Sequence, residues 1–234
     1  MISTRELSII SANGRNTLYT KIWYDNSIKY KGILQIAHGM IEHIERYNRF
    51  ARYLVNQGYL VIGHDHLGHG KTAANEEELG YFPDIHMSQT LVDDMHQVSL
   101  AVKKEYPQLP LFILGHSMGS LLLRRYVMTY GDEIQGALIL GTGRITPLAL
   151  KAGELLVKFL MMLKGDDYHS PMIECILFGA YNKRFSANRF GKEWLTKDKA
   201  IVDEYMKDEF CHFTFSLSGI MMLIDTMKYI QNKA

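Results

Sequence analysis

Cysteine is almost absent: Cys175 and Cys211 are the only two in 234 residues, and no C-x-x-C spacing occurs. That excludes a disulfide framework and a thiolate zinc site, and predicts two free thiols in a reducing compartment. Net charge is equally scarce. Lys and Arg number 26 against 25 Asp and Glu, a balance of +1, so there is no basic stripe for nucleic acid and no polybasic membrane patch. Long hydrophobic runs are missing too. The longest apolar stretch, Leu155 to Leu163, is interrupted by Lys158 and is too short to span a bilayer. The N-terminus, Met1-Ile-Ser-Thr-Arg5-Glu6, has no positive region leading into an apolar one, so no signal peptide is read. The chain is expected to be soluble and cytoplasmic.

What is present is a globular composition, 47% hydrophobic, which excludes disorder and suits one compact domain with an insertion. Two strand-like runs, Ser3–Ile10 and Leu18–Tyr24, flank the turn signal Asn13-Gly14 and predict a hairpin. Short unbroken apolar runs follow at Ile33–Ala37, Tyr59–Gly63, Leu111–Leu114 and Ala137–Leu140. Runs of this kind suit strands buried on both faces of a parallel sheet. Between them lie helical stripes. Tyr47, Phe50, Ala51 and Leu54 stop before Gly58, and Leu91, Met95, Val98 and Val102 stop near Pro107. A third helix runs from just after Ser117 to Gly131. The alternation predicts an α/β fold with a mostly parallel sheet and right-handed crossovers. From Gly143 the rhythm breaks into a helical insertion, and a last helix, Ser216 to Ile230, follows. The expected organisation is a core over 1–142, a cap over 143–205, and a return helix over 206–234.

Chemistry concentrates at Gly115-His116-Ser117-Met118-Gly119, a G-x-S-x-G between an apolar strand and a helical stripe. That context is what a nucleophile elbow requires. The turn strains the serine backbone, and Gly115 and Gly119 remove side chains that would clash across it. The helix beginning at Met118 aims free N–H groups and its positive dipole end at the place where an oxyanion forms. After the strand Ile33–Ala37 comes His38-Gly39-Met40-Ile41-Glu42-His43, which lets the Met40 N–H join that of Met118 as a two-donor oxyanion hole. The segment His64-Asp65-His66-Leu67-Gly68-His69-Gly70 admits two readings. One is a metallo-hydrolase site on His64, His66 and His69, although Gly68 stands where that pattern needs Asp. The favoured one is a loop anchored by side-chain-to-backbone bonds. No cofactor is expected.

Together these motifs resemble the α/β-hydrolases of the monoacylglycerol lipase and lysophospholipase group, the serine-aminopeptidase-like hydrolases. The similarity takes in His38-Gly39 with Glu42-His43 and Arg46-Tyr47, Asp65-His66-x-Gly68-His69-Gly70, the Ser117 elbow, Trp194-Leu195 and Asp208. One departure is Ile41, where the family usually carries Gly. The resemblance implies Ser117 as nucleophile, Met40 and Met118 as backbone oxyanion donors, and a cap that shapes an acyl pocket with Leu156, Phe159 and Leu160. It implies a lipid-like acyl ester as substrate, monoacylglycerol or lysophospholipid, with transient membrane contact through the cap.

In this fold the triad runs Ser, then acid, then His. The family places the acid and base beyond the helix in which this chain ends, so the last two strands and the triad Asp and His are expected to be absent from this chain. A substitute from Asp208 with His169 or His212 preserves the order but not the family's positions. Three alternatives stay open: a serine carboxylester hydrolase represented in part, a non-catalytic acyl-ligand binder, and the metal site. A shortened sheet is also expected to leave an apolar edge that promotes association.

Overall fold

The computed structural model describes residues 1–83, 87–185 and 190–232; Lys233 and Ala234, the end of the expected return segment, lie outside the described residues. Six strands form one sheet in the order β1-β2-β4-β3-β5-β6. They are β1 (Ser3–Ile10), β2 (Thr17–Tyr24), β3 (Gly32–Ala37), β4 (Tyr59–His64), β5 (Leu111–His116) and β6 (Gly136–Leu140). The predicted hairpin is β1–β2, antiparallel with Ser3 opposite Tyr24. β2 joins β4 antiparallel, and β4, β3, β5 and β6 are parallel. The four continuous apolar runs therefore became the four parallel strands, each within a residue or two of its expected limits.

Helices cover both faces. α1 (Asn48–Asn56) lies on one, where Ala51 and Val55 pack with Trp23, Leu34, Ile36, Val61 and Leu114. α2 (Met87–Glu105), α3 (Met118–Tyr130) and α7 (Leu217–Asn232) lie on the other, over Ile33, Leu60, Ile62 and Ile113. Successive residues of β3 and β4 thus feed opposite cores, as the strand period of two requires. Both faces being covered explains why β3 is buried along its whole length.

Between β6 and α7 the chain builds the cap: α4 (Pro147–Lys164), α5 (Pro171–Phe178) and α6 (Lys199–Tyr205). Each begins with a side-chain cap. Thr146 accepts from Ala149 N–H, Ser170 from Ile173 N–H and Asp198 from Ala200 N–H, with Pro at the start of the first two. α4 packs on α7, where Lys228 reaches Glu154 at 2.8 Å. Its other side carries Leu155, Phe159, Met162 and Leu163, all more than half exposed. β6 is the outer strand, and Leu138, Ile139 and Leu140 are 41–47% exposed. Among the described residues no helix is long and apolar enough to cross a membrane.

Candidate active site

Ser117 sits between β5 and α3 with φ 51° and ψ −115°, left-handed backbone that a non-glycine residue adopts only under constraint. The neighbouring glycines are what permit it. A Cβ on Gly115 would overlap the Gly119 carbonyl, and one on Gly119 would overlap the carbonyls of Ala37 and His38. The Ser117 N–H donates to Leu140 O at 2.9 Å, which ties the elbow to β6. Its side chain is exposed at the floor of a cavity of about 570 Å³. Met118 opens α3, so its N–H has no acceptor within the helix, and the residue lines the same cavity.

The loop after β3 carries Met40 to the cavity wall. A largely buried carboxylate, one of the motif residues but given no role from sequence, organises this loop. Glu42 Oε1 accepts from Gly39 N–H at 2.5 Å, from the Tyr47 hydroxyl at 3.0 Å and from His116 Nδ1 at 3.0 Å. Burial opposes its charge, but the bond and charge of His116, with the Gly39 and Tyr47 donors, hold the carboxyl below its ordinary range. The same bond from Glu42 raises the His116 imidazole against its own burial. The signal for Glu42 was available: three residues after Gly39, it sits where a side chain can cap the loop's own N–H groups. Arg46, also on the wall, leans over the Tyr205 ring at 4.8 Å.

The cap walls the cavity with Leu177, Phe178, Trp194, Val202 and Tyr205. Trp194 stacks on Phe178 with centroids 6.2 Å apart. Leu156, Phe159 and Leu160 are not among the lining residues, contrary to the expectation for them. Phe159 points outward, 53% exposed, and Leu156 and Leu160 pack against the core. An amphipathic period locates an apolar face but not the surface it meets, and the α4 face is shared between α7 and solvent.

The histidine segment serves the loop. Asp65 accepts from Ile44 N–H at 2.7 Å and Lys71 N–H at 2.8 Å, and His38 Nε2 accepts from His66 N–H at 3.0 Å. His64, His66 and His69 are fully buried, out of reach of a substrate, and their ring nitrogens do not gather as three donors close enough to hold an ion. Both ring nitrogens of His64 and His66, and Nε2 of His69, have no protein hydrogen-bond partner. The metallo-hydrolase alternative on these three residues is not upheld by this arrangement. Donor atoms do converge elsewhere, at His43, Asp208 and Cys211, within 4.8 Å of one another. A hydrogen-bonded pair accounts for that cluster. His43 Nε2 bonds Asp208 Oδ2 at 2.7 Å, and burial pushes the Cys211 thiol up to about 12, far from a thiolate ligand.

No histidine among the described residues hydrogen-bonds the Ser117 hydroxyl. His169 bonds Thr214 at 3.1 Å, and neither it nor His212 lines the cavity, while Asp208 is engaged by His43. A substitute triad from these residues is not assembled.

Comparison with known proteins fits this geometry. A family model described as serine aminopeptidase, S33, matches residues 28–234. The chain is 27% identical to the monoglyceride lipase of Rattus norvegicus over 95% of its own length and 66% of that protein's. It is 36% identical to the Homo sapiens monoglyceride lipase over 114 residues, 49% of this chain and 35% of the relative. It thus spans between about a third and two thirds of these curated relatives. Among solved structures, a thermostable carboxyl esterase from Bacillus coagulans in complex with glycerol superposes with a TM-score of 0.86 at 30% identity, over 97% of this chain and 73% of the esterase. With its family model matched over most of its length and its elbow in place, the chain belongs to the serine aminopeptidase S33 family and has the α/β-hydrolase fold.

Proposed function

We propose that the chain carries the nucleophile, Ser117, and the oxyanion donors of a serine carboxylester hydrolase acting on lipid-like acyl esters, monoacylglycerol or lysophospholipid. The observation that carries this reading is a single one. Ser117, in a strained elbow at the N-terminus of α3, opens into a cavity of about 570 Å³ whose cap side is apolar and aromatic. A cavity of that size accommodates an acyl chain.

In this mechanism the Ser117 hydroxyl attacks the ester carbonyl and loses its proton to a base. The carbonyl oxygen becomes an oxyanion held by the Met40 and Met118 N–H groups, the alcohol leaves, and water releases the acid. Glu42 supports the first donor by fixing the Gly39 N–H and the loop behind it. The apolar outer face of α4, with Leu155, Phe159 and Met162, suits brief contact with a lipid surface, at which such substrates reside.

A second reading is favoured by the absence of a histidine on Ser117 among the described residues: an acyl-ligand binder without turnover. A serine without its base is a poor nucleophile. An alkyl fluorophosphonate separates the two. Labelling of the folded chain that disappears in Ser117→Ala supports the hydrolase, and a folded chain that stays unlabelled while binding fatty acid supports the binder. Turnover abolished by a chelator and indifferent to Ser117→Ala overturns the serine mechanism. A panel of glycerol and glycerophosphate esters of increasing chain length then defines the substrate.

A further inference from the structure

Ile41 has φ 56°. Among the described residues only Ser117 shares a positive φ without being glycine, and its strain belongs to the elbow. A β-branched side chain is the least suited of all to that region, because its Cγ atoms crowd the backbone carbonyls. The conformation persists only where the surroundings over-determine it. Two restraints do so. The Ile41 side chain is buried, 5% exposed, in the main core cluster. Its carbonyl accepts from the Tyr205 hydroxyl at 2.8 Å, a buried bond.

Tyr205 is the last residue of α6 in the cap, itself 6% exposed, and it lines the same cavity as Ser117. The bond therefore runs from the cap to the residue directly after Met40. A second link, His43 to Asp208, follows two residues later in the loop and three later in the cap. Upstream, Gly39 N–H is fixed by Glu42. Ile41 is then the one left-handed residue between two anchored points, and rotation about its φ re-aims the segment bearing the Met40 N–H.

We propose that Tyr205 is a positioning residue: its hydroxyl holds Ile41 in the left-handed conformation, so that the seating of the cap sets the aim of the Met40 oxyanion donor. The inference rests on the reading of Met40 and Ser117 given above. It has a consequence that a merely structural tyrosine lacks. Glycine adopts this φ without strain, so a chain with Gly at position 41 no longer depends on Tyr205.

The test uses the whole chain and the variants Tyr205→Phe, Ile41→Gly and the two combined. Dodecyl trifluoromethyl ketone forms a hemiketal when the Ser117 oxygen adds to its carbonyl carbon; the C=O π pair moves to oxygen as the oxyanion, and the serine proton passes to solvent. Dodecyl glyceryl ether fills the cavity with no oxyanion and controls for folding. Tyr205→Phe is expected to weaken the ketone by at least ~10-fold while leaving the ether within ~2-fold, and the double variant to return within ~3-fold of Ile41→Gly. Hydrogen exchange at the Met40 and Ile41 amides is expected to rise in Tyr205→Phe and fall back in the double variant, whether or not an adduct forms. Unchanged ketone affinity and exchange in Tyr205→Phe overturn the proposal, as do equal losses for ketone and ether or a double variant that is not restored. A ketone that binds Ser117→Ala as tightly as the parent overturns the acyl-enzyme reading instead, and the exchange data then decide the role of Tyr205 alone.

Discussion

The two sides of the cavity are built on different principles. On the core side, a short loop and a turn are fixed by hydrogen bonds and by two residues in left-handed backbone, Ile41 and Ser117. One carboxylate, Glu42, gathers donors from Gly39, Tyr47 and His116. On the cap side the wall is mostly apolar and aromatic: Leu177, Phe178, Trp194 and Val202 offer shape, while the Tyr205 hydroxyl reaches across to the Ile41 carbonyl. The difference divides the work: one side fixes where charge develops, where small displacements are costly, and the other selects what fits, where apolar groups repack at low cost.

The sharpest way to break the contrast is at the nucleophile. Ser117→Ala is expected to abolish whatever alkyl fluorophosphonate labelling the parent shows, with ether-ligand affinity unchanged within a factor of about two. Parent turnover should itself lie at least ~10³-fold below that of a full-length relative, since among the described residues oxyanion stabilisation acts without a base on Ser117. Rates matching such a relative would count against the arrangement described above. Next in size is Gly119→Ala. Its methyl group would meet backbone carbonyls that cannot move aside, so urea unfolding should show a loss of about 3 kcal/mol or more.

On the cap side, Trp194→Ala is expected to weaken a long-chain ligand about tenfold. Its effect on unfolding should stay near 1 kcal/mol, because Trp194 is outside the core clusters. A loss comparable with that of Gly119→Ala would erase the distinction between the two walls.

Acid probes the core side as a whole rather than one residue. Burial lowers His38, His64, His66 and His69, to about 3 for His64 and about 4 for His69. Below the ordinary histidine value the unfolded chain takes up these protons and the folded one does not, so stability falls as pH drops from about 6.5 towards 4. Asp65 and Asp94, both raised by burial to about 6, work in the opposite direction over much of that window. Four groups against two leave a net loss of stability on acidification. A urea midpoint that is the same at pH 5 and pH 7 would contradict the buried, neutral cluster.

The same division governs what could be read from the sequence. The core side was legible because its constraints are local. Continuous apolar runs marked β3 to β6, and the glycines flanking Ser117 announced a turn too tight for a Cβ. The cap wall was not. The α4 pattern promised an apolar face, but whether that face met a ligand, α7 or water depended on the path of the chain after Lys164. The actual wall comes from the end of α5, from Trp194 and from α6, where residues are spaced by loops and no period links them. Tyr205 escaped for another reason: its partner is a backbone carbonyl, which sequence does not display.

The bond from Ser117 N–H to Leu140 O makes the outermost strand part of the reaction geometry. β6 is held along one side by β5 and shows three apolar side chains to solvent. Any chain that adds a rung to its open side would stiffen the tether under the nucleophile, and any fraying of that strand would slacken it. The sheet's margin thus works as a lever on the serine.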